Sequence, residues 1–215
     1  MYDCTQPDSR AAGLTAAFTA LRGGKLVVLP TDTVYGLGCD AFDGVGVTSL
    51  LRAKNRGRDM PVPVLVGSWQ TIDGLVFAVS NQARNLVEAF WPGALSLVVQ
   101  QAPSLSWDLG DARGTVMLRM PMHPVALELL REVGPMAVSS ANVSGELPAT
   151  TAALAREQLG SSVSVYLEGG PCAASVPSTI VDVTGECPLV LREGAISTAA
   201  IAEVLGVSAM DLLVR

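Results

Sequence analysis

The sequence predicts an α/β protein with a mixed β-sheet, built as one domain over residues 1–215. Short apolar runs rich in β-branched residues alternate with longer segments in which apolar residues recur at helical spacing. Several of the short runs follow one another without an intervening helix, so some neighbouring strands must be antiparallel. No segment is long, charged or rich enough in Ser and Pro to be a linker between domains.

The first half of the chain begins with a predicted helix over residues 8–22, in which Asp8 is expected to cap the start and Gly23 to end the helical pattern. A short apolar run at 25–29 predicts a buried strand that stops at Pro30. The other elements predicted for this half are helices at 45–53 and 81–90 and strands at 61–66 and 95–100.

The second half continues the same alternation of elements. One long stretch without an apolar pattern, residues 169–182, is expected to be a flexible loop. The predicted elements are strands at 115–118, 136–138, 164–167, 179–183 and 189–191 and helices at 124–133, 151–159 and 198–205.

The charge of the chain excludes some classes of function. It carries 14 basic and 20 acidic side chains, a net charge of −6, and its only lysines are Lys25 and Lys54. A protein that coats nucleic acid would show a broad basic face, whereas here four cations are concentrated in residues 52–58. His123 is the sole histidine, so a three-histidine zinc site is impossible.

Compartment and membrane signals are also readable from the sequence. The four cysteines show no paired metal-ligand spacing, and we interpret them as reduced thiols, with disulfides as the minor alternative. No apolar run approaches the roughly 20 residues that a membrane helix needs. The first residues lack the basic and apolar regions of a signal peptide. We therefore expect a cytoplasmic protein without a membrane segment.

Two segments in the first half could carry chemistry. In residues 30–38 a strand is followed by hydroxyls, a carboxylate, a phenol and two glycines, a pattern typical of ligand sites at strand ends. The alternative is a strand-to-helix turn held by local hydrogen bonds. Residues 52–59 crowd like charges together, which indicates a bound anion opposite them or, alternatively, a solvated helix end.

Two further segments lie in the second half. Arg119 closes an apolar strand, so its guanidinium is expected to face a ligand carboxylate or an internal acid, and His123 is either an acid–base group or a local cap. Residues 138–145 offer three hydroxyls and an amide after a strand, or simply a polar loop. The residues alone predict a pocket for an anionic small molecule, without a metal cage or a covalent nucleophile.

Together these segments resemble the YrdC-like family, the threonylcarbamoyl-AMP synthases of tRNA modification. The resemblance spans residues 10–205, and its specificity comes from the number of motifs that occur in one order. The motifs are PTDTVYGL at 30–37, KNR at 54–56, FWPG at 90–93, LRMP at 118–121, SANVSG at 140–145, STIVD at 178–182 and REGAI at 192–196.

The resemblance implies an open twisted sheet with flanking helices around a concave pocket. It also implies that L-threonine, bicarbonate and ATP are joined into threonylcarbamoyl-AMP with release of pyrophosphate. The product would pass to a transferase complex that modifies adenosine 37 of certain tRNAs. Longer members carry an additional C-terminal domain, and this chain is expected to be a single-domain short form.

The family's functional residues can be carried over by position. Lys54 and Arg56 are expected to be catalytic, acting on the phosphates by charge and positioning, and Arg119 is expected to bind the threonine carboxylate. Mg²⁺ would arrive with ATP, without a dedicated protein cage. The implied ATP-binding residues are Arg56, Arg58, Ser140, Asn142, Ser144 and Arg192. The implied threonine-binding residues are Thr33, Tyr35, Arg119 and Ser178.

Three positions depart from the family pattern. Gly57 stands where many members have proline, Met60 where an asparagine often contacts nucleotide, and Leu65 where a histidine often lies near the threonine. We expect Arg58 to compensate with an additional phosphate contact.

Two other functions remain open at this point. Related proteins are thought to bind double-stranded RNA on the same concave surface, but a net charge of −6 predicts weak or no direct binding of tRNA. Carbamoyl transfer to another acceptor occurs in hydrogenase maturation proteins, which are much longer and carry zinc-finger-like cysteines absent here.

Overall fold

A single ten-stranded sheet spans the part of the chain that the computed structural model describes, residues 1–172 and 176–213. The strands are β1 Tyr2–Asp3, β2 Val27–Leu29, β3 Gly36–Asp40, β4 Val64–Leu65, β5 Leu95–Gln100, β6 Thr115–Arg119, β7 Met136–Ser140, β8 Val165–Glu168, β9 Thr179–Asp182 and β10 Leu189–Arg192. Their order across the sheet is β1-β8-β2-β3-β7-β4-β6-β5-β9-β10. Four neighbouring pairs are parallel and five are antiparallel, so the predicted mixed sheet is confirmed.

The helices agree closely with the sequence pattern. Those predicted at 81–90, 124–133 and 198–205 have the predicted bounds. The described helices are α1 Pro7–Arg22, α2 Gly44–Ala53, α3 Ile72–Leu75, α4 Asn81–Phe90, α5 Pro124–Val133, α6 Ala152–Leu159 and α7 Thr198–Leu205, with short 3₁₀ turns at Trp69–Thr71, Gly160–Ser162 and Ala209–Leu212.

The predicted cap of the first helix is wrong. Gln6 is the N-cap of α1 and makes no side-chain cap hydrogen bond, while Asp8 lies inside the first turn. Pro7 occupies the first helical position, where its fixed φ is suited to the helix and its missing N–H removes no intrahelical bond. Pro7 therefore moves the start of the helix ahead of Asp8.

Apolar side chains cover both faces of the sheet. Val27 and Leu29 belong to a smaller core cluster together with Leu21 of α1 and Leu129 of α5. Val28, between them, belongs to the larger cluster, because successive side chains of a strand point to opposite faces. The larger cluster also takes in side chains of α2, α4, α6 and α7.

The central strand β3 was not predicted, since its sequence, Gly-Leu-Gly-Cys-Asp, has low strand propensity. Close packing against β7 explains both glycines. A Cβ atom on Gly36 would lie 2.6 Å from Val138 Cγ1, and one on Gly38 would lie 2.9 Å from Met136 Cε. Packing against β7 therefore explains why both positions are glycine.

Other bounds also differ from the prediction. Ser139 and Ser140 lie inside β7 rather than after it. The expected loop over 169–182 overlaps β9, which begins at Thr179, and residues 173–175 of that loop lie outside the described residues. In the described ranges, all helices are too short or too polar to cross a membrane.

Candidate active site

Lys54 ends α2 and directs its ammonium group to the end of β7. Only 2% of the residue is exposed. Its Nζ donates to the backbone carbonyl oxygen of Asn142 at 2.7 Å and to that of Ser140, and it lies 3.3 Å from Asn142 Oδ1 and 3.5 Å from Ser140 Oγ. All four acceptors are neutral. The positive charge is therefore held by dipoles, with no carboxylate among its partners.

Burial lowers the pKa of the Lys54 ammonium to about 8, and the charge of Arg56 acts in the same direction. A buried cation among neutral acceptors is favoured further when an anion binds beside it.

Arg56 also binds neutral groups. Its Nη1 donates to Ser139 Oγ at 3.1 Å, its Nη2 to the carbonyl oxygen of Pro61 at 3.0 Å, and its Nε to that of Met60 at 2.9 Å. Burial lowers the pKa of the guanidinium, while the nearby carboxylate of Asp59 raises it. The structure thus brings the two residues predicted to be catalytic to adjacent positions along β7.

The segment after β7 is attached to Lys54 on its backbone side as well. The backbone N–H of Ser144, an exposed residue, donates to the carbonyl oxygen of Lys54 at 2.9 Å. Asn142 is buried, and its Nδ2 donates to the carbonyl oxygens of Val143 and Glu146, both at 2.9 Å. Lys54, Ser140, Asn142 and Ser144 therefore form one local unit.

Arg58 has different surroundings. Its Nη2 lies 2.5 Å from Asp108 Oδ1, its Nε lies 3.7 Å from Asp111 Oδ1, and its side chain is half-exposed. Two carboxylates already neutralise this guanidinium. The phosphate contact expected of Arg58 stays a prediction, since the charge of its guanidinium is shared with these two carboxylates.

Arg119 lies at the end of β6 in a buried network. Its Nη2 lies 2.6 Å from Asp32 Oδ1, its Nη1 donates to Thr33 Oγ1 at 2.9 Å, and its Nε donates to the carbonyl oxygen of Gly93 at 2.9 Å. The side chains of Arg119 and Asp32 are 9% and 15% exposed. Of the two partners foreseen for Arg119, an internal acid is present, and the guanidinium retains N–H groups for a ligand.

Ser178 directly precedes β9 and Arg192 ends β10, beside this network. Arg192 Nη2 donates to the carbonyl oxygen of Ser178 at 2.7 Å, and Ser178 Oγ lies 2.9 Å from Ser96 Oγ. The positive charge of Arg192 reaches Arg119 and adds to the burial that lowers the pKa of the Arg119 guanidinium. Thr33, Arg119, Ser178 and Arg192 are thus brought together from four different parts of the chain.

Tyr35 has a structural role in this arrangement. It is fully buried, and its hydroxyl donates to Glu168 Oε1 at 2.5 Å and lies 2.7 Å from the carbonyl oxygen of Gly170. The backbone N–H of Gly169 donates to the same hydroxyl at 2.9 Å. Burial raises the pKa of Tyr35, with the Glu168 carboxylate as the next cause. Its hydroxyl joins the segment after β8 to the segment before β3, and the threonine contact expected of Tyr35 stays a prediction.

His123 does not cap α5. It is the N-cap residue of that helix without a side-chain cap hydrogen bond, and its buried Nδ1 has no partner among the described residues. Burial lowers the pKa of the imidazole, while the charge of Asp32 raises it. The local cap considered for His123 is therefore wrong, and an acid–base role remains untested.

Two site residues were not assigned from the sequence. Asp32 is the internal acid that pairs with Arg119, and Glu168 receives Tyr35 and two backbone N–H groups, those of Gly170 at 2.8 Å and Ala152 at 2.9 Å. Their signal was a carboxylate at or shortly after the end of an apolar run, which is a weak pattern when the position of the partner is not known.

The three departures from the family pattern have clear locations. Met60 is 55% exposed and contributes its carbonyl oxygen to Arg56, so its side chain stays free at the rim of the site. Leu65 is buried in the smaller core cluster. A Cβ atom on Gly57 would lie 2.3 Å from Asp59 Oδ1, so this glycine leaves space for the Asp59 carboxylate.

Two pairs of cationic side chains therefore lie in the site. Their hydrogen-bond partners described above are neutral groups, apart from the Asp32 carboxylate that binds Arg119. The first is Lys54 with Arg56 along β7, and the second is Arg119 with Arg192 at β6 and β10. Strand β4 lies between β7 and β6 and pairs with both. One strand therefore separates the two pairs of cations, and each pair has the charge to bind an anionic group.

Comparison with known proteins finds a matching family model and similar sequences for most of this chain. Residues 19–194 match the Sua5/YciO/YrdC family model, which is described as telomere recombination. A relative from Mycobacterium tuberculosis (strain CDC 1551 / Oshkosh), named provisionally as a threonylcarbamoyl-AMP synthase, is 64% identical over 211 residues, 98% of this chain and 97% of that protein. The Bacillus subtilis threonylcarbamoyl-AMP synthase is 36% identical over 195 residues, 90% of this chain and 56% of that longer protein.

Solved structures agree with these matches. Pyrococcus abyssi Sua5 complexed with L-threonine has a TM-score of 0.88 at 32% identity and covers 94% of this chain and 58% of that chain. Escherichia coli YciO has a TM-score of 0.80 at 24% identity, covering 89% and 93%, which shows a shared fold. The predicted fold class is therefore confirmed.

Proposed function

The chain belongs to the Sua5/YciO/YrdC family, and from this membership we propose that it is a threonylcarbamoyl-AMP synthase that joins L-threonine, bicarbonate and ATP. The resemblance stated from the motifs is thereby confirmed. The synthase function is favoured over RNA binding, because relatives that match along nearly the whole chain or most of it carry the synthase name. It is an enzyme of the nucleotidyltransferase type.

One structural observation carries the assignment of substrates to positions. Arg119 is buried against Asp32 and Thr33, whereas Lys54 and Arg56 lie along β7 among neutral acceptors. The first arrangement suits a single carboxylate, because a guanidinium can bind a carboxylate through two parallel N–H groups. The second suits a triphosphate, whose charge exceeds what one cation neutralises. We assign threonine to Arg119 and the ATP phosphates to Lys54 and Arg56.

The reaction then proceeds in two steps. The neutral amine of threonine attacks the carbon of bicarbonate and releases water, or attacks carbon dioxide and releases one proton, and in either case forms a carbamate. A carbamate oxygen attacks the α-phosphorus of ATP, the bond to the β-phosphate oxygen breaks, and pyrophosphate leaves. Lys54 and Arg56 stabilise the negative charge on the phosphates and hold them in line, without a covalent bond to the protein.

Mg²⁺ is expected to accompany ATP. In the described residues, no group of three or more His, Cys, Asp or Glu side chains is arranged to hold a metal ion. Mg²⁺ commonly keeps several waters and binds mainly through substrate phosphates, so it needs few protein ligands and would add positive charge beside Lys54.

The product is expected to pass to a tRNA threonylcarbamoyl transferase complex. Adenylates of this kind are reactive mixed anhydrides, so direct transfer limits their hydrolysis. The net charge of −6 predicts weak or no binding of tRNA by this chain itself, because phosphate contacts supply most of the affinity for nucleic acid.

Mass spectrometry tests the proposal directly. The purified protein, incubated with ATP, Mg²⁺, bicarbonate and L-threonine, is expected to form threonylcarbamoyl-AMP and an equal amount of pyrophosphate. Omitting threonine should abolish both products. Absence of the adenylate at saturating substrates would refute the synthase function, and a salt-sensitive shift of double-stranded RNA under those conditions would favour the RNA-binding alternative.

A further inference from the structure

Asp32 has one carboxylate oxygen in use and one free. Its Oδ1 accepts hydrogen bonds from Arg119 Nη2 at 2.6 Å and from the backbone N–H of Met122 at 2.9 Å. Its Oδ2 accepts none from the described residues, and it is not among the fully buried polar atoms without a partner. A largely buried carboxylate thus keeps an accessible oxygen next to the guanidinium.

The groups around Asp32 leave this oxygen for a cation. Asp32 acts electrostatically on Arg119, His123 and Cys172. Arg119 is already bound through Oδ1. The imidazole of His123 has its pKa lowered by burial, and the thiol of Cys172 has its pKa raised by burial, so both are mainly neutral at pH 7. Arg119 is the only one of these three groups that carries a positive charge there.

A free amino acid matches this pair of charges. Its α-carboxylate and its ammonium group sit on one carbon, and an α-amino group is largely protonated at pH 7. A guanidinium beside a carboxylate with a free oxygen presents the complementary charges at the same short spacing. A ligand with only a carboxylate would satisfy Arg119 and leave Asp32 Oδ2 unused.

We propose that Asp32 binds the ammonium group of the amino-acid substrate through Oδ2 while Oδ1 holds Arg119 against the substrate carboxylate. This inference rests on the proposed function and adds a specificity-determining residue to the threonine site. Asp32 selects for α-amino acids and keeps the amino group close to the carboxylate-binding guanidinium. The ammonium group must lose one proton before the amine attacks, and the neighbouring Asp32 carboxylate is placed to accept that proton.

Two threonine analogues separate this role from support of Arg119. 3-Hydroxybutanoate keeps the hydroxyl and the carboxylate but lacks the amino group, and L-threoninamide keeps the ammonium group but lacks the carboxylate. Ligand-observed NMR, which detects millimolar binding, is used to measure both analogues and L-threonine with the wild type and with Asp32→Asn. The asparagine retains an oxygen for Arg119 Nη2 but removes the negative charge.

The proposal predicts at least tenfold weaker binding of L-threonine and L-threoninamide to Asp32→Asn and less than twofold change for 3-hydroxybutanoate. Asp32 acting only through Arg119 predicts the reverse pattern, loss for 3-hydroxybutanoate and none for L-threoninamide, and that result would overturn it. Equal affinity of both proteins for L-threonine would also overturn it. If instead the wild type forms no threonylcarbamoyl-AMP, the proposed function fails, whichever way the analogues bind.

Discussion

Lys54 Nζ lies 2.7 Å from the backbone carbonyl oxygen of Asn142, so a cation at the end of α2 stabilises the segment that follows β7. The backbone of Lys54 takes part too, because its carbonyl oxygen accepts from the N–H of Ser144. One residue therefore both shapes the polar segment 140–144 and supplies positive charge to it. Its loss should affect catalysis and stability together.

Lys54→Ala is expected to lower turnover at least tenfold, about 1.4 kcal/mol of barrier, because charge beside the phosphates is lost. It should also lower the free energy of unfolding by about 1–3 kcal/mol, since several carbonyl groups lose their donor. Arg56→Ala should lower turnover by a similar factor. Steady-state kinetics and urea unfolding measure both effects. Lys25→Ala, which removes the other, exposed lysine, is the control, and unchanged turnover in Lys54→Ala and Arg56→Ala would refute their phosphate role.

The pH dependence of kcat/KM for ATP, which follows the ionisation of the free enzyme, should report Lys54. Its pKa falls from 10.5 to about 8 on folding, so a step that needs the ammonium weakens as the pH rises through about 8. Between pH 8 and 10.5 the unfolded chain holds a proton that the folded chain has released, so the contribution of Lys54 to the free energy of unfolding rises with pH there. A pH–rate profile of Lys54→Arg, which stays charged, should lack the decline, and a decline shared by both proteins would assign it to another group.

Arg119→Lys is expected to raise the threonine KM at least tenfold with little change in the ATP KM. A lysine ammonium keeps the charge, but its single nitrogen cannot donate to Asp32, Thr33 and Gly93. It also cannot hold a substrate carboxylate through two parallel N–H groups, as a guanidinium can. Arg119→Ala should additionally destabilise the fold by about 3–5 kcal/mol, because Asp32 is left buried without its partner. Initial rates with each substrate varied in turn provide the measurement, and an effect limited to ATP would contradict the assignment of Arg119.

Tyr35→Phe should lower the free energy of unfolding by about 1–3 kcal/mol, because Glu168 and the backbone of Gly169 and Gly170 lose a shared hydroxyl. Tyr166→Phe is the matched control. It removes a phenol that donates only to the carbonyl oxygen of Gly160, so its effect should be smaller. Urea unfolding of the two variants compares them. Equal stability losses would show that the Glu168 network adds nothing beyond a single hydrogen bond.

Arg58→Ala tests whether the exposed guanidinium leaves its carboxylates for ATP. Exposed ion pairs such as those with Asp108 and Asp111 are screened by water and contribute little to stability, so unfolding should change little. A phosphate contact predicts an increase in the ATP KM that shrinks as salt is raised. Asp108→Ala is the paired variant and should lower the ATP KM by freeing Arg58. An unchanged ATP KM in both variants would remove Arg58 from the ATP site.

The sequence by itself determined most helices, the mixed character of the sheet and the family. Helical spacing is a local signal, and α4, α5 and α7 were predicted to the residue. The ordered motifs also nominated Lys54, Arg56, Arg119 and their neighbours without knowledge of their positions in space. Helices and sequence motifs can be predicted in this way because residues that are close together in the chain determine them.

The tertiary structure alone decided which of these residues meet. The residue types of β3 do not predict a strand, because glycine has low strand propensity. Glycine is needed at Gly36 and Gly38 because side chains of β7, about 100 residues away in the chain, pack against them. The pairing of Arg119 with Asp32 and of Tyr35 with Glu168 likewise joins distant segments. Burial and partners from distant segments determine the pKa of Lys54, which oxygen of Asp32 stays accessible, and the hydrogen bonds of Tyr35. A sequence pattern contains no information on burial or on distant partners.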